Sequence, residues 1–204
     1  MVQWDLLLFD LGGVLVYFDG ITPLRKLTQN RLDPDSIRRL WLVSPWTREF
    51  QKGRCSPVEF AAGFVKENNL DINPQEFLQQ FESWEHGLMP GAAELLQELR
   101  VNYKIGCLTN NNELHWNIHV NKIKITPLFH VRYVSHLIGM VKPDAEIFNH
   151  VIKDRGVAPQ RIVFFDDNIE CVEGARKAGM TAFHTDGIQQ VRDRLGEIGI
   201  RTAE

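Results

Sequence analysis

Cysteine is scarce in this chain. Cys55, Cys107 and Cys171 are too few, too far apart and odd in number to suggest a disulfide framework or a zinc site. Long hydrophobic runs are missing as well: no apolar stretch approaches the roughly 20 residues that span a bilayer. Nor is there an excess of basic charge. The formal net charge of −3 gives no electrostatic case for binding nucleic acid or an anionic membrane. The amino terminus shows no basic start, no long hydrophobic region and no small-residue cleavage site, so a secretory leader is not expected and a reducing cytoplasm is the expected home. The composition that remains is that of an ordinary globular protein, and 204 residues suit one domain with a sizeable insertion.

Five short apolar runs stand out, at Asp5 to Asp10, Tyr103 to Thr109, His130 to Ser135, Arg161 to Asp166 and Thr181 to Thr185. Helical patterns lie between the last four. In "DAEIFNHVIKDRG" Ala145, Phe148, Val151 and Ile152 recur at helical spacing and Gly156 ends the run, while in "NIECVEGARKAGM" Val172, Ala175 and Ala178 face one way before Gly179. Strands alternating with helices indicate a parallel sheet covered on both faces. The expected fold is therefore α/β, a Rossmann-like parallel sheet.

About ninety residues separate the first strand from the second, far more than a crossover needs. That interval carries Trp41, Trp46, Phe50, Phe60, Phe64, Phe77, Phe81 and Trp84 in helical patterns, broken at Pro45, Gly53, Pro57 and Pro74. "SPVEF" and "NPQEF" read as helix starts, each with a cap residue, a proline at the first helical position and an early Glu. Its rings lack basic interleaving, so stacking on nucleic acid is not expected. The expected organisation is a Rossmann-like core of residues 1–17 and 89–204 with an inserted all-helical cap of residues 18–88.

Ligands of an open parallel sheet bind beyond the carboxyl ends of its strands. Those ends carry Asp10, Thr109 with Asn110, and Asp166 with Asp167, and the third strand is followed by Lys142 in "GMVKPD". Clustered carboxylates repel one another unless a cation neutralises them, and hard oxygen donors suit Mg²⁺. An acid, a hydroxyl, an amine and two further acids on one rim make sense together for phosphoryl transfer, where charge stabilisation dominates.

This ordered set resembles the haloacid dehalogenase-like hydrolase superfamily over nearly the whole chain. "FDLGGVL", "CLTNNN", "GMVKPDAEIF" and "IVFFDDN" look like its four motifs in order, and the insert is placed like a cap between the first two. Within it, "DLGGVLV", "GMVKP" and "VFFDDN" are most similar to sugar-phosphate phosphatases of the glucose-1-phosphate phosphatase type and to the phosphatase domain of soluble epoxide hydrolase. The resemblance implies Asp10 as a nucleophile forming an aspartyl-phosphate, with Thr109, Asn110 and Lys142 binding the phosphoryl group. It also implies Mg²⁺ between Asp10, the Gly12 carbonyl and Asp167, with Asp166 a direct or water-mediated ligand, and a small phosphorylated metabolite as substrate.

Gly12 departs from the commonest phosphatase pattern, which has an acid/base aspartate two residues after the nucleophile. Asp19 is a candidate substitute and a substrate-side residue, or else a cap for the helix "GITPLRKL". An anomeric phosphate such as glucose 1-phosphate needs less acid help. The alternatives are haloacid dehalogenase-type hydrolysis and a weakly active binding module. Two further features read as structural: His115 and His119, spaced i, i+4, as a surface helix face, and Arg48, Lys52 and Arg54 around "QKGR" as a solvated turn or one facing the substrate.

Overall fold

The apolar runs and amphipathic helices assemble into the expected α/β architecture in a computed structural model that describes residues 4–202. Five parallel strands form the sheet: β1 (Leu6–Phe9), β4 (Ile105–Thr109), β5 (Val131–Val134), β6 (Ile162–Asp166) and β7 (Thr181–His184), in the order β5-β4-β1-β6-β7. Every residue of β1, β4 and β6 is buried, as a strand covered on both faces requires.

Alternation divides these strands between two cores. Leu7, Phe9, Cys107 and Phe165 point to one face, where α6 (Ala92–Leu99) and α11 (Gly187–Glu197) cover them. Leu6, Leu8, Leu108 and Phe164 point to the other, against α9 (Ala145–Arg155) and α10 (Ile169–Lys177). Because the chain builds β4 and β5 on one side of β1 and then crosses to β6 and β7, the topological switch falls beside β1.

Between β2 (Val16–Phe18) and β3 (Glu85–Leu88) come five helices: α1 (Ile21–Leu27), α2 (Pro34–Val43), α3 (Pro45–Gln51), α4 (Pro57–Glu67) and α5 (Pro74–Glu82). Their starts follow local chemistry. Ser56 and Glu59 form a reciprocal capping box ahead of α4, and the Asn73 side chain accepts from the Gln75 N–H at the start of α5. Phe60, Phe64, Phe77, Phe81 and Trp84 close a separate apolar cluster, with Phe50 stacked on Phe60 at 4.4 Å between centroids.

Two short strands were not foreseen. β3 lies within the interval read as helical and pairs antiparallel with β2, so two short strands, rather than coil, join the helical insert to the sheet. "EHGL" carries no apolar alternation, and its strand conformation comes from the partner 70 residues away. No helix among the described residues is long and apolar enough to cross a membrane. The remaining α-helices among the described residues are α7 (Glu113–Ile118), which continues into a π-helical turn over His119–Ile123, and the short α8 (Ser135–Ile138).

Candidate active site

Three strand ends and one loop build the site. The Asp10 N–H donates to the Phe165 carbonyl at 2.8 Å, which ties the turn after β1 to the level where β6 ends in Asp166. Lys142, in the loop between α8 and α9, is 2 % exposed, and its Nζ lies 2.6 Å from Asp166 Oδ2 and 3.0 Å from Asp10 Oδ1. The contact with Asp166 is a hydrogen bond. That with Asp10 is a charge contact only, leaving Asp10 Oδ1 buried without a directed donor. Carboxylate oxygens of Asp10, Asp166 and Asp167 lie within 4.8 Å of one another.

The electrostatics follow from this crowding. Burial alone would push the Lys142 pKa down, but the charges of Asp10 and Asp166 outweigh it and hold the ammonium protonated, with its pKa raised. Burial raises Asp166 to about 7 against the pull of Lys142, with Asp10 adding to the rise. Asp167 stands at the solvent-facing side of the cluster, and partial desolvation, then Asp10 and Asp166, also push it up. Three carboxylates face one ammonium here, an excess of two negative charges when all are ionised. Together with the Asp10 oxygen that accepts no hydrogen bond, this donor set fits a hard divalent cation.

This chain matches the haloacid dehalogenase-like hydrolase family over residues 4–179. The chain belongs to that family. It is 29% identical over 194 residues to Phosphatase MT3486 of Mycobacterium tuberculosis, covering 91% of this chain and 88% of that protein. D-ribitol-5-phosphate phosphatase of Bacteroides thetaiotaomicron is 22% identical over 205 residues, covering 93% of this chain and 95% of its own. A solved structure of a haloacid dehalogenase family enzyme from the same organism, in complex with magnesium and inorganic phosphate, aligns with a TM-score of 0.70 at 26% identity. The alignment covers 89% of this chain and 93% of that one.

Within this haloacid dehalogenase-like hydrolase the remaining candidates separate. Thr109 is buried at the end of β4, the strand beside β1. Asn110 follows it, and its side-chain amide is spent on Lys142: Nδ2 donates to the Lys142 carbonyl and Oδ1 accepts from the Lys142 N–H, both at 2.8 Å. The Asn110 side chain therefore positions the lysine. Asp166 is likewise fully engaged, with Oδ2 on Lys142 and Oδ1 accepting from the Asn168 N–H at 2.8 Å, which leaves Asp167 the freer acid. Asp19 does not join the cluster through its hydrogen bonds; its Oδ1 accepts from the Thr22 N–H at 2.9 Å, the helix-capping alternative.

Gly13 is a participant that motif reading passed over. Its φ is +75°, and a Cβ there would overlap the Asp167 carboxylate, so only glycine lets the turn lie against that acid. The adjacent pair of glycines was its one sequence signal.

Two expectations are corrected. His115 and His119 do not form a surface face: both are buried, His115 with Nε2 2.8 Å from the Phe81 carbonyl oxygen and His119 with Nε2 2.9 Å from Glu85 Oε1. Burial lowers the His115 pKa. Helical spacing defined the face, but the insert and β3 lie across it. Arg48 is not simply solvated either. Its Nη2 lies 2.6 Å from Asp144 Oδ2, with Lys52 Nζ 3.8 Å from the same oxygen, so α3 is tied to the start of α9 two residues past Lys142.

Proposed function

We propose that this hydrolase is a Mg²⁺-dependent phosphatase of small phosphomonoesters, with Asp10 as nucleophile and residues 18–88 as a cap over a core of residues 1–17 and 89–204. The observation that carries this reading is the juxtaposition of Asp10, Lys142, Asp166 and Asp167 at one sheet rim. The phosphatase names among its relatives support it.

In this reading an Asp10 oxygen attacks phosphorus, the bond to the leaving oxygen breaks, and water later releases phosphate from the aspartyl-phosphate. Lys142, kept protonated by its two acids, restrains Asp10 and neutralises a phosphate oxygen. The Thr109 hydroxyl and the Asn110 backbone bind the phosphoryl group, and the Asn110 side chain fixes Lys142. Mg²⁺, held by Asp10, the Gly12 carbonyl and Asp167, with Asp166 direct or through water, would cancel repulsion between anionic nucleophile and anionic substrate. Asp166 also holds Lys142 in place. A sugar phosphate on an anomeric oxygen, such as glucose 1-phosphate, suits a site with glycine at position 12. Dehalogenation of a haloacid would still need Asp10 as nucleophile but has no use for Asp166 and Asp167, which would repel the substrate carboxylate.

The test is phosphate release from glucose 1-phosphate with Mg²⁺ and with chelator. Asp10→Asn should lower turnover more than about a thousandfold with the circular dichroism spectrum retained. Wild-type turnover in Asp10→Asn, or in chelator, would remove the assignment.

A further inference from the structure

Beside Asp10, where a second acid would ordinarily serve the leaving group, this chain has room and an aromatic ring. Gly12 is not demanded by the backbone, since the positive φ in this turn belongs to Gly13. A Cβ built on Gly12 would meet Phe18 alone, 3.4 Å from its Cβ and 3.7 Å from its Cγ, which is ordinary contact. The far edge of the same ring lies 3.0 and 3.2 Å from where a Cβ on Gly20 would stand. Trp84 and His115 meet it edge to face, at centroid distances of 6.3 and 5.7 Å. The ring is thus lodged along two glycines and braced by two aromatic groups, yet Phe18 remains 37 % exposed. Asp19, the nearest carboxylate in sequence, is turned to the Thr22 N–H.

We infer that Phe18 is the leaving-group platform of this site and determines its specificity. It presents an apolar ring where position 12 offers no proton donor. The favoured substrates are then phosphate esters of an acidic oxygen carried on a ring, phenolic or anomeric. This rests on the phosphatase reading. As the Asp10–phosphorus bond forms, the phosphorus–oxygen bond breaks and its electron pair stays on the leaving oxygen. With no acid at position 12, that oxygen departs as an anion and takes its proton from solvent, a step that favours acidic leaving groups. A flat aryl face, or the C–H face of a sugar ring, gains contact with Phe18, worth up to about tenfold in kcat/KM.

Four substrates separate the two requirements. Phenyl phosphate has a ring and an acidic oxygen, acetyl phosphate an acidic oxygen only, glucose 6-phosphate a ring only, and glycerol 3-phosphate neither. With Mg²⁺ present, wild-type kcat/KM should be higher for the two acidic leaving groups, phenyl and acetyl phosphate, than for glucose 6-phosphate, and lowest for glycerol 3-phosphate. Phe18→Ala should lower the phenyl-to-acetyl ratio about tenfold, and Phe18→Trp should restore it. Phe18→Leu, which keeps most of the volume, should show the same fall at an unchanged melting temperature. Gly12→Asp should raise glucose 6-phosphate and glycerol 3-phosphate relative to phenyl phosphate. Equal losses on phenyl and acetyl phosphate in both Phe18→Ala and Phe18→Leu would overturn the platform, and a wild type indifferent to leaving-group acidity would overturn the unassisted departure. Failure of the underlying reading looks different: no phosphate release from any of the four, or release that survives Asp10→Asn, would remove the phosphatase assignment and this inference with it.

Discussion

Lys142→Met removes the ammonium that faces Asp10 and the buried Asp166 and leaves a side chain of similar length. In wild type Nζ lies 2.6 Å from Asp166 Oδ2, and Asp166 is 0 % exposed, so the variant strands a carboxylate that water cannot reach. Breaking a buried ion pair in this way costs about 3–5 kcal/mol. The cost should depend on pH, because the stranded acid can escape by taking up a proton. Asp166 already has its folded pKa raised from 3.8 to about 7 with the lysine present, and removing the lysine raises it further. A raised folded pKa gives stability that is complete below the unfolded value and lost as pH rises through the folded one. Wild type therefore loses its Asp166 contribution up to about pH 7, and below that the two proteins run parallel. Above about pH 7 only the variant continues to lose it, and the gap between them should widen by about 1.4 kcal/mol per pH unit until the variant's own pKa is passed. Lys142 itself adds no slope there, since it is protonated in both folded and unfolded wild type. Urea denaturation of both proteins in chelator, at about pH 6, 7, 8 and 9, measures this gap. A gap that is the same at about pH 6 and pH 9, or below about 1 kcal/mol at pH 9, would refute the reasoning.

Two other substitutions probe the turn and the insert. Gly13→Ala forces a side chain into a positive-φ position and into the Asp167 carboxylate, so the Mg²⁺ concentration for half-maximal activity should rise about 10–100-fold. An unchanged Mg²⁺ titration would show that Asp167 does not govern the metal. Phe60→Ala empties the centre of the aromatic cluster, where Phe60 is fully buried against Phe50, Phe64, Phe77 and Phe81. It should cost about 3–5 kcal/mol by chemical denaturation, and a loss below about 1 kcal/mol would mean that this cluster is not a cohesive core.

Local chemistry alone determined much of this protein. Apolar runs bounded by polar residues located all five strands of the sheet to within two residues, and the Ser56 and Asn73 caps with their following prolines marked two helix starts. Position at strand ends singled out Asp10, Asp166 and Asp167, which the fold does bring together. These features are legible because periodicity and capping act within a few residues. Tertiary structure decided the rest. Asn110 clamps a lysine 32 residues away, His119 meets a glutamate 34 residues before it, and Arg48 reaches an aspartate 96 residues on. The bracing of Phe18 belongs here too: the turn from Gly12 to Val16 is local, but Trp84 and His115, which meet the ring edge to face, lie far along the chain. Such contacts depend on how sheet and insert pack in three dimensions. No spacing along the chain encodes which side chains will meet once that packing has chosen its partners.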